Sequence, residues 1–98
     1  MSSIRPGNLL TISNPDGLDV MLYDGSAVSE SSDPWMTLVK LAEGRPEAFK
    51  HIPAGDPFLC IEVIWDQSDI NLNICISILW GERMYLMFCN VLEVVSIV

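Results

Sequence analysis

The chain has 98 residues, 13 acidic against 5 basic side chains and a net charge of -8, and half of its residues are hydrophobic. This length fits one domain, residues 1–98, and the high hydrophobicity excludes a disordered chain. The acidity excludes duplex DNA and an anionic membrane as direct ligands, because both require Lys and Arg at their phosphates.

Signals for secretion, disulfides and metal are missing from the sequence. Residues 1–7 contain no apolar segment of the kind that a secretory signal needs. Cys60, Cys75 and Cys89 lie inside apolar runs and form no CxxC pair. This pattern predicts buried free thiols in a reducing cytoplasm, with no metal and no cofactor.

The first half of the chain reads as strands joined by polar segments. The turn sequence Asn14-Pro15-Asp16-Gly17 lies between two apolar runs and predicts a β-hairpin across residues 8–23. Residues 24–34 are small, polar and acidic, which predicts a loop. Residues 35–42 favour a strand, with the start of a helix as the alternative. Residues 46–51 could form one helical turn with Pro at its first position, inside an irregular connection from 44 to 57.

The second half predicts four strands, at residues 58–65, 72–80, 84–88 and 92–96. Strand 72–80 alternates, which is typical of a half-buried antiparallel strand whose inward positions begin at Leu72. Residues 66–73 resemble a calcium loop only faintly, and a polar turn is the better interpretation. The pair Gly81-Glu82 fits a two-residue type II′ turn.

Short strands in close succession, with no convincing helix, predict an all-β fold. A small barrel suits 98 residues better than a sandwich, because closure removes exposed sheet edges. We expect five to seven antiparallel strands, long acidic loops and at most one short helical turn.

Four segments resemble the SH3-like small barrel of KOW-type modules and many short phage proteins. They are the opening residues 4–10, the long excursion at 14–34, the strand at 55–63, and the terminal hairpin, 3₁₀ corner and closing strand at 79–96. Phe58 stands where the family pattern has a glycine, and the basic residues of its nucleic-acid-binding members are missing. The resemblance implies a fold and a phage or mobile-element setting, and it implies no activity.

Catalytic signals are weak. His51 is the only histidine, and we interpret it as a surface or capping residue. The chain contains no GxSxG, P-loop, GxGxxG or HExxH motif. We therefore expect a protein without enzyme activity.

Acidic residues are concentrated near the first turn and the loop that follows. Asp16, Asp19, Asp24 and Asp33 fall in a stretch without any Lys or Arg. The simple interpretation is a solvated surface that keeps a hydrophobic protein soluble. The alternative is an anionic patch that binds a basic protein or imitates nucleic acid.

Aromatic residues supply the second group of candidate contacts. Trp35 and Trp80 lie at predicted strand ends, and Tyr85 lies on a strand with apolar groups on both faces. Because a small barrel has one interior, a second apolar face implies either a covering loop or a partner surface. Trp and Tyr are favoured at protein interfaces.

The sequence therefore predicts a non-enzymatic protein-binding module, a phage structural or accessory subunit that docks on a larger assembly. The alternative is a small acidic inhibitor that blocks a host enzyme or defence complex. The predicted partner is a protein, either further copies of this chain, a larger assembly or a basic host protein. We expect no direct contact with nucleic acid or membrane, and a location in the host cytoplasm or the virion.

Overall fold

A computed structural model describes residues 4–23 and 49–97, and this part of the chain is all-β, as expected. It contains seven strands and a single 3₁₀ turn, Val91–Glu93. The strands are β1 (Leu9–Ile12), β2 (Leu18–Leu22), β3 (Phe49–Ile52), β4 (Phe58–Gln67), β5 (Asn73–Trp80), β6 (Arg83–Asn90) and β7 (Val94–Ser96). A search of these residues finds no helix of the length and hydropathy needed to cross a membrane.

The seven strands form one antiparallel sheet in the order β3-β2-β6-β5-β4-β1-β7. The sheet curls into a half-barrel, consistent with the predicted small β-barrel. β4 is its longest strand, and two register shifts interrupt its pairing with β5, between Cys60 and Glu62 and between Val63 and Trp65. Bulges of this kind increase local bending and allow a long strand to follow a curved sheet.

The prediction of a hairpin across residues 8–23 is wrong, although both strands and their turn are present. β1 pairs with β4 and β7, whereas β2 pairs with β3 and β6. The turn from Asn14 to Gly17 therefore connects strands that lie apart in the sheet. Turn chemistry indicates a change of direction and cannot by itself show that the two flanking strands pair.

The expected helical turn at residues 46–51 is also corrected. Residues Phe49–Ile52 form β3, an edge strand that pairs with β2 from Met21 opposite Phe49 to Leu18 opposite Ile52. Cross-strand pairing decides this short segment, since local helix signals are weak over so few residues. The loop predicted at 24–34 and the strand predicted at 35–42 lie outside the described residues.

The inner face of the curled sheet carries the main hydrophobic core. Every strand contributes to it, and Ile4 joins it from the segment before β1. The largest fully buried side chains there include Phe58, Ile76 and Met87. The residues of the main core are mainly aliphatic, as the alternating patterns of the strands predict.

The outer face of the sheet is apolar as well. A smaller cluster contains Met21, Cys75 and Leu86, with Tyr23, Ile64, Trp65 and Phe88 packed against it. Residues 74 to 78 of β5 are consequently buried on both faces, so the prediction of a half-buried strand is wrong. The alternating positions hold the small residues Cys75 and Ser77. Small residues of this kind are compatible with a solvent-exposed face, so the sequence does not show that the second face is buried.

The hairpin between β5 and β6 is confirmed. Trp80 pairs with Arg83, which leaves Gly81 and Glu82 as a two-residue loop. Gly81 has a φ of 64°, and Glu82 is not among the residues with positive φ. A positive φ at the first of two loop residues is the type II′ pattern that the sequence predicts.

Candidate protein-binding surface

Three turns that are distant in sequence meet at one corner of the sheet. They are residues 13–17 between β1 and β2, residues 68–72 between β4 and β5, and the 3₁₀ turn Val91–Glu93; together we call them the three-turn corner. The Ser13 amide donates to the Glu93 carbonyl over 2.8 Å, and the Val91 amide donates to the Leu72 carbonyl over 2.8 Å. The Ser13 hydroxyl also donates to the Leu92 carbonyl over 3.0 Å. These bonds fix the three turns against one another.

The turn at residues 13–17 is held by Asn14. Its side-chain oxygen accepts from the Asp16 amide over 3.0 Å, and its carbonyl accepts from the Gly17 amide over 2.9 Å. Gly17 has a φ of 72°, and a β-carbon there would collide with the carbonyl of Ile52. Glycine is therefore required, and Asp16 is left exposed at the tip of the turn.

The 3₁₀ turn is capped at its N-terminal end by Asn90 and Glu93. The Asn90 side chain accepts from the Leu92 amide over 2.9 Å, and the Glu93 carboxylate accepts from the Asn90 amide over 3.0 Å. The second Glu93 oxygen accepts from the Asn14 side chain over 3.4 Å. This reciprocal capping gives the short turn a defined shape without buried residues of its own.

The turn at residues 68–72 combines an ordered carboxylate with an unusual backbone. The Ser68 hydroxyl and amide both hydrogen-bond Asp66 and hold the pKa of its carboxyl below the ordinary value, the amide over 2.8 Å. Leu72 has a φ of 65° and is the only described residue other than glycine with a positive φ. A branched aliphatic side chain in the left-handed region costs about 1–2 kcal/mol.

The three-turn corner presents aliphatic side chains to solvent. Ile70 is 83% exposed, Leu92 is 72% exposed and Leu72 is 41% exposed. The sequence places Leu72 at the first inward position of β5, and this prediction is wrong, because the residue lies in the turn. Exposed carboxylates accompany these aliphatic residues, namely those of Asp16, Asp66 and Asp69. The surface is therefore apolar with an acidic border.

Two of the predicted contact residues lie away from this corner, at the β5–β6 hairpin. Trp80 is half-buried against the main core, and its ring meets that of Tyr85 edge-on with 5.8 Å between centroids. Tyr85 is only 6% exposed and belongs to the main core. Its ring is therefore unavailable to a partner, because β6 turns this residue towards the inner face, and we remove it from the candidate surface.

The predicted acidic residues separate into two groups. Asp16 lies in the three-turn corner, and Asp19 follows on β2, where its carboxylate lies 2.7 Å from Nδ1 of His51 on β3. Both members of this pair are exposed, which agrees with the interpretation of His51 as a surface residue. Trp35, Asp24 and Asp33 lie outside the described residues.

Sequence reasoning missed the aliphatic residues of the corner. The sequence predicts a polar turn at residues 66–73 and a closing strand that includes Leu92. The available signal was the presence of Ile70 and Leu72 among Asp, Asn and Ser residues. Large aliphatic residues in a turn are not explained by the alternating pattern of a strand, and exposed apolar residues are typical of an interaction surface.

The three thiols are buried and belong to the packing of the sheet. Burial raises the pKa of Cys60 to about 11 and the pKa values of Cys75 and Cys89 to about 12. Thiols of this kind are poor nucleophiles near neutral pH, since the thiolate is the reactive form. Within residues 4–23 and 49–97, no three His, Cys, Asp or Glu side chains are grouped to hold a metal ion.

Comparisons with protein-family models, with curated proteins and with solved structures gave no match to this chain.

Proposed function

We propose that this protein is a non-enzymatic protein-binding module that docks on a larger protein assembly through the three-turn corner. One observation carries the proposal: Ile70, Leu72 and Leu92 are exposed together at hydrogen-bonded turns, and Leu72 keeps its side chain in a backbone conformation that favours glycine. Strained backbone retained at an exposed apolar position is a feature of binding sites. Burial of these side chains against a partner would supply affinity.

The acidic border favours a partner with Lys or Arg around an apolar centre. The described residues contain eight Asp and Glu side chains against three Lys and Arg. None of these three cations lies in the corner turns, because Arg5 precedes β1, Lys50 lies on β3 and Arg83 follows the hairpin loop. Charges at the rim of an interface mainly set orientation and the rate of encounter.

The role of a phage structural or accessory subunit follows from the SH3-like resemblance. Two features support that resemblance: the two-residue hairpin before β6, and the 3₁₀ turn that leads into the closing strand β7 beside β1. A location in the host cytoplasm or virion belongs to the same proposal.

A second candidate function is a small acidic inhibitor that imitates nucleic acid at a host enzyme or defence complex. The excess of carboxylates over cations favours it, together with the exposed Asp16 and Asp19. The two functions differ in the origin of the binding energy. An apolar contact is nearly independent of salt, whereas charge imitation weakens steeply as salt screens the charges.

The test begins with the mass of the purified protein by light scattering at low and high salt. The immobilised protein is then used to capture partners from lysate of its native host, at the same two salt concentrations. Three variants are compared with the wild type: Ile70→Ser with Leu92→Ser, Asp16→Asn with Asp19→Asn, and Ile61→Ser as an exposed aliphatic control on β4, outside the corner.

Docking through the corner predicts that the Ile70→Ser/Leu92→Ser variant loses at least about ten-fold in affinity at both salt concentrations, a loss of about 1.4 kcal/mol. Ile61→Ser should bind as the wild type does. The inhibitor function predicts instead that the wild type releases its partner at high salt, and that the Asp16→Asn/Asp19→Asn variant is the weakened one. This second outcome would overturn docking by the corner.

A further inference from the structure

β3 lies at one end of the seven-stranded sheet, where a further strand could be added. It pairs with β2 along one edge, and the described residues place no strand along its other edge. Residues 49 to 51 of β3 are exposed. The backbone of such an edge strand is a template for a strand of another chain, and soluble proteins carry features that prevent this pairing.

The side chains of β3 alternate between the two faces of the sheet. Lys50 lies directly opposite Val20, and Ile52 lies directly opposite Leu18. Val20 and Ile52 are buried members of the main core, with 1% and 0% of their surface exposed. Directly opposite residues of an antiparallel pair share a face, so Lys50 projects from the inner, apolar face of the sheet.

Lys50 interrupts a strand that otherwise has the composition of one that pairs readily. Phe49 is 43% exposed and Ile52 is apolar, and aromatic and β-branched residues are favoured in strands. The neighbouring His51 is held by Asp19, and no ion pair within the described residues involves Lys50. Its ammonium group is therefore hydrated in the single chain, where the exposed position costs little.

A second copy of β3 would place Lys50 unfavourably in either register that a two-fold axis allows. If three residues of each antiparallel strand are to pair, the axis passes at Lys50 or at His51. In the first register Lys50 lies directly opposite Lys50 of the second copy, with ~5 Å between β-carbons, and the like charges repel. In the second register Lys50 lies opposite Ile52 of the second copy, and the ammonium group loses water beside an aliphatic residue.

We propose that Lys50 prevents the edge of β3 from pairing with a second copy of this chain. A charged side chain on the inward face of an edge strand is one of the features that keep sheets from joining edge to edge. The inference is independent of docking through the three-turn corner, because it concerns the backbone of an end strand and not the exposed aliphatic residues. It makes Lys50 a residue that determines which chains can pair with this sheet.

Light scattering of the full chain and of matched variants tests this proposal. Lys50→Val and Arg83→Val each replace one exposed cation by valine, and Arg83 begins β6, which has a strand on both sides. Lys50→Glu keeps a charge at the edge. Over a range of protein concentrations, Lys50→Val should reach twice the mass of the wild type, and the other two variants should match the wild type. An unchanged mass for Lys50→Val, or the same doubling in either of the other variants, would overturn the proposal.

Hydrogen exchange locates the contact, so that the proposal does not depend on mass alone. In Lys50→Val the outward amides of β3 should exchange at least about ten-fold more slowly than in the wild type, because they donate to the second copy. Exchange at β7, the opposite end of the sheet, should be unchanged. Lys50→Thr removes the same charge with a more soluble β-branched residue and should give the same pattern. Association of both variants without slower exchange at β3 would contradict the proposal.

Discussion

Strand β5 begins after one left-handed residue and ends before another, and the two ends differ in the residue that occupies this conformation. Gly81 follows β5 with a φ of 64°, and Leu72 precedes it with a φ of 65°. At the hairpin end the left-handed position is occupied by glycine, the residue that adopts this conformation most easily. The large residues nearby pack into the core (Tyr85) or against it (Trp80). The corner end keeps an aliphatic residue that the backbone disfavours and leaves it exposed.

This difference separates residues that stabilise the fold from residues that we propose as the binding surface. The aromatic residues at the hairpin have the composition of an interface, yet they stabilise the sheet. The aliphatic residues at the corner belong to turns of mainly polar sequence, yet Ile70 and Leu92 are the most exposed large apolar residues in the part of the chain that the structure describes. Residue type is therefore a poorer guide to a binding surface here than the match between a residue and its backbone conformation.

The largest effect should come from the hairpin end. Tyr85→Ala removes a buried ring from the main core and its edge-on contact with Trp80, and should lower the free energy of unfolding by about 3–5 kcal/mol. Urea denaturation followed by circular dichroism measures the change. A loss below about 1 kcal/mol would show that this ring is not a core residue, and would return Tyr85 to the candidate surface.

A smaller and matched effect is expected at the two left-handed positions. Alanine at position 81 should be less stable than glycine by about 1 kcal/mol, and the variants Leu72→Ala and Leu72→Gly should differ by about the same amount, with glycine the more stable. Ala and Gly both remove the leucine side chain, so their difference at position 72 isolates the backbone. Equal stability of Leu72→Ala and Leu72→Gly in thermal unfolding would show that the backbone at position 72 is not strained.

Substitution of the exposed corner residues should change stability still less. Ile70→Ser with Leu92→Ser should leave the free energy of unfolding within about 0.5 kcal/mol of the wild type, because both side chains are mostly exposed. Parallel urea titrations of the variant and of Ile61→Ser provide the comparison. A loss of several kcal/mol would mean that the corner belongs to the fold, and the two ends of β5 would then be alike.

The smallest effect concerns the acidic border. The pKa of Asp66 should be measured below 3.8 by NMR titration, and Ser68→Ala should move it upwards, because the hydroxyl bond is lost. A carboxyl whose pKa is lowered in the folded state adds stability above its unfolded pKa, and this contribution is lost as the pH falls through the folded value. An Asp66 pKa that Ser68→Ala leaves unchanged would show that the hydroxyl does not order this carboxylate.

Strand positions could be predicted largely from the sequence, whereas strand neighbours could not. Alternation and turn residues located β4 to β6 and the Gly81-Glu82 loop, because these signals are local. The partners of β1 and β2 depend on contacts between distant parts of the chain. The pattern of residues 8–23 is the same whether the two strands pair with each other or, as here, with four other strands.

The candidate surface was less predictable for a related reason. The exposure of Ile70 and Leu92 depends on how three separate turns meet, and no single segment contains that information. The acidic residue Asp16 was predictable, since a turn sequence places it at the surface. Tyr85 was not, because β6 has apolar residues on both faces and its sequence does not show which face is the core.

The contact between Ser13 and Leu92 joins residues 79 positions apart. The pairing of β1 likewise depends on β7, the seventh strand in chain order. During synthesis, β1 therefore leaves the ribosome long before its neighbours β4 and β7 exist. Sheets that depend on such distant pairings typically fold in milliseconds to seconds. Until β4 and β7 have been synthesised and have paired with β1, the unpaired edge of β1 is available to other chains. The newly made protein should therefore need either rapid folding after its release from the ribosome or a chaperone to avoid aggregation.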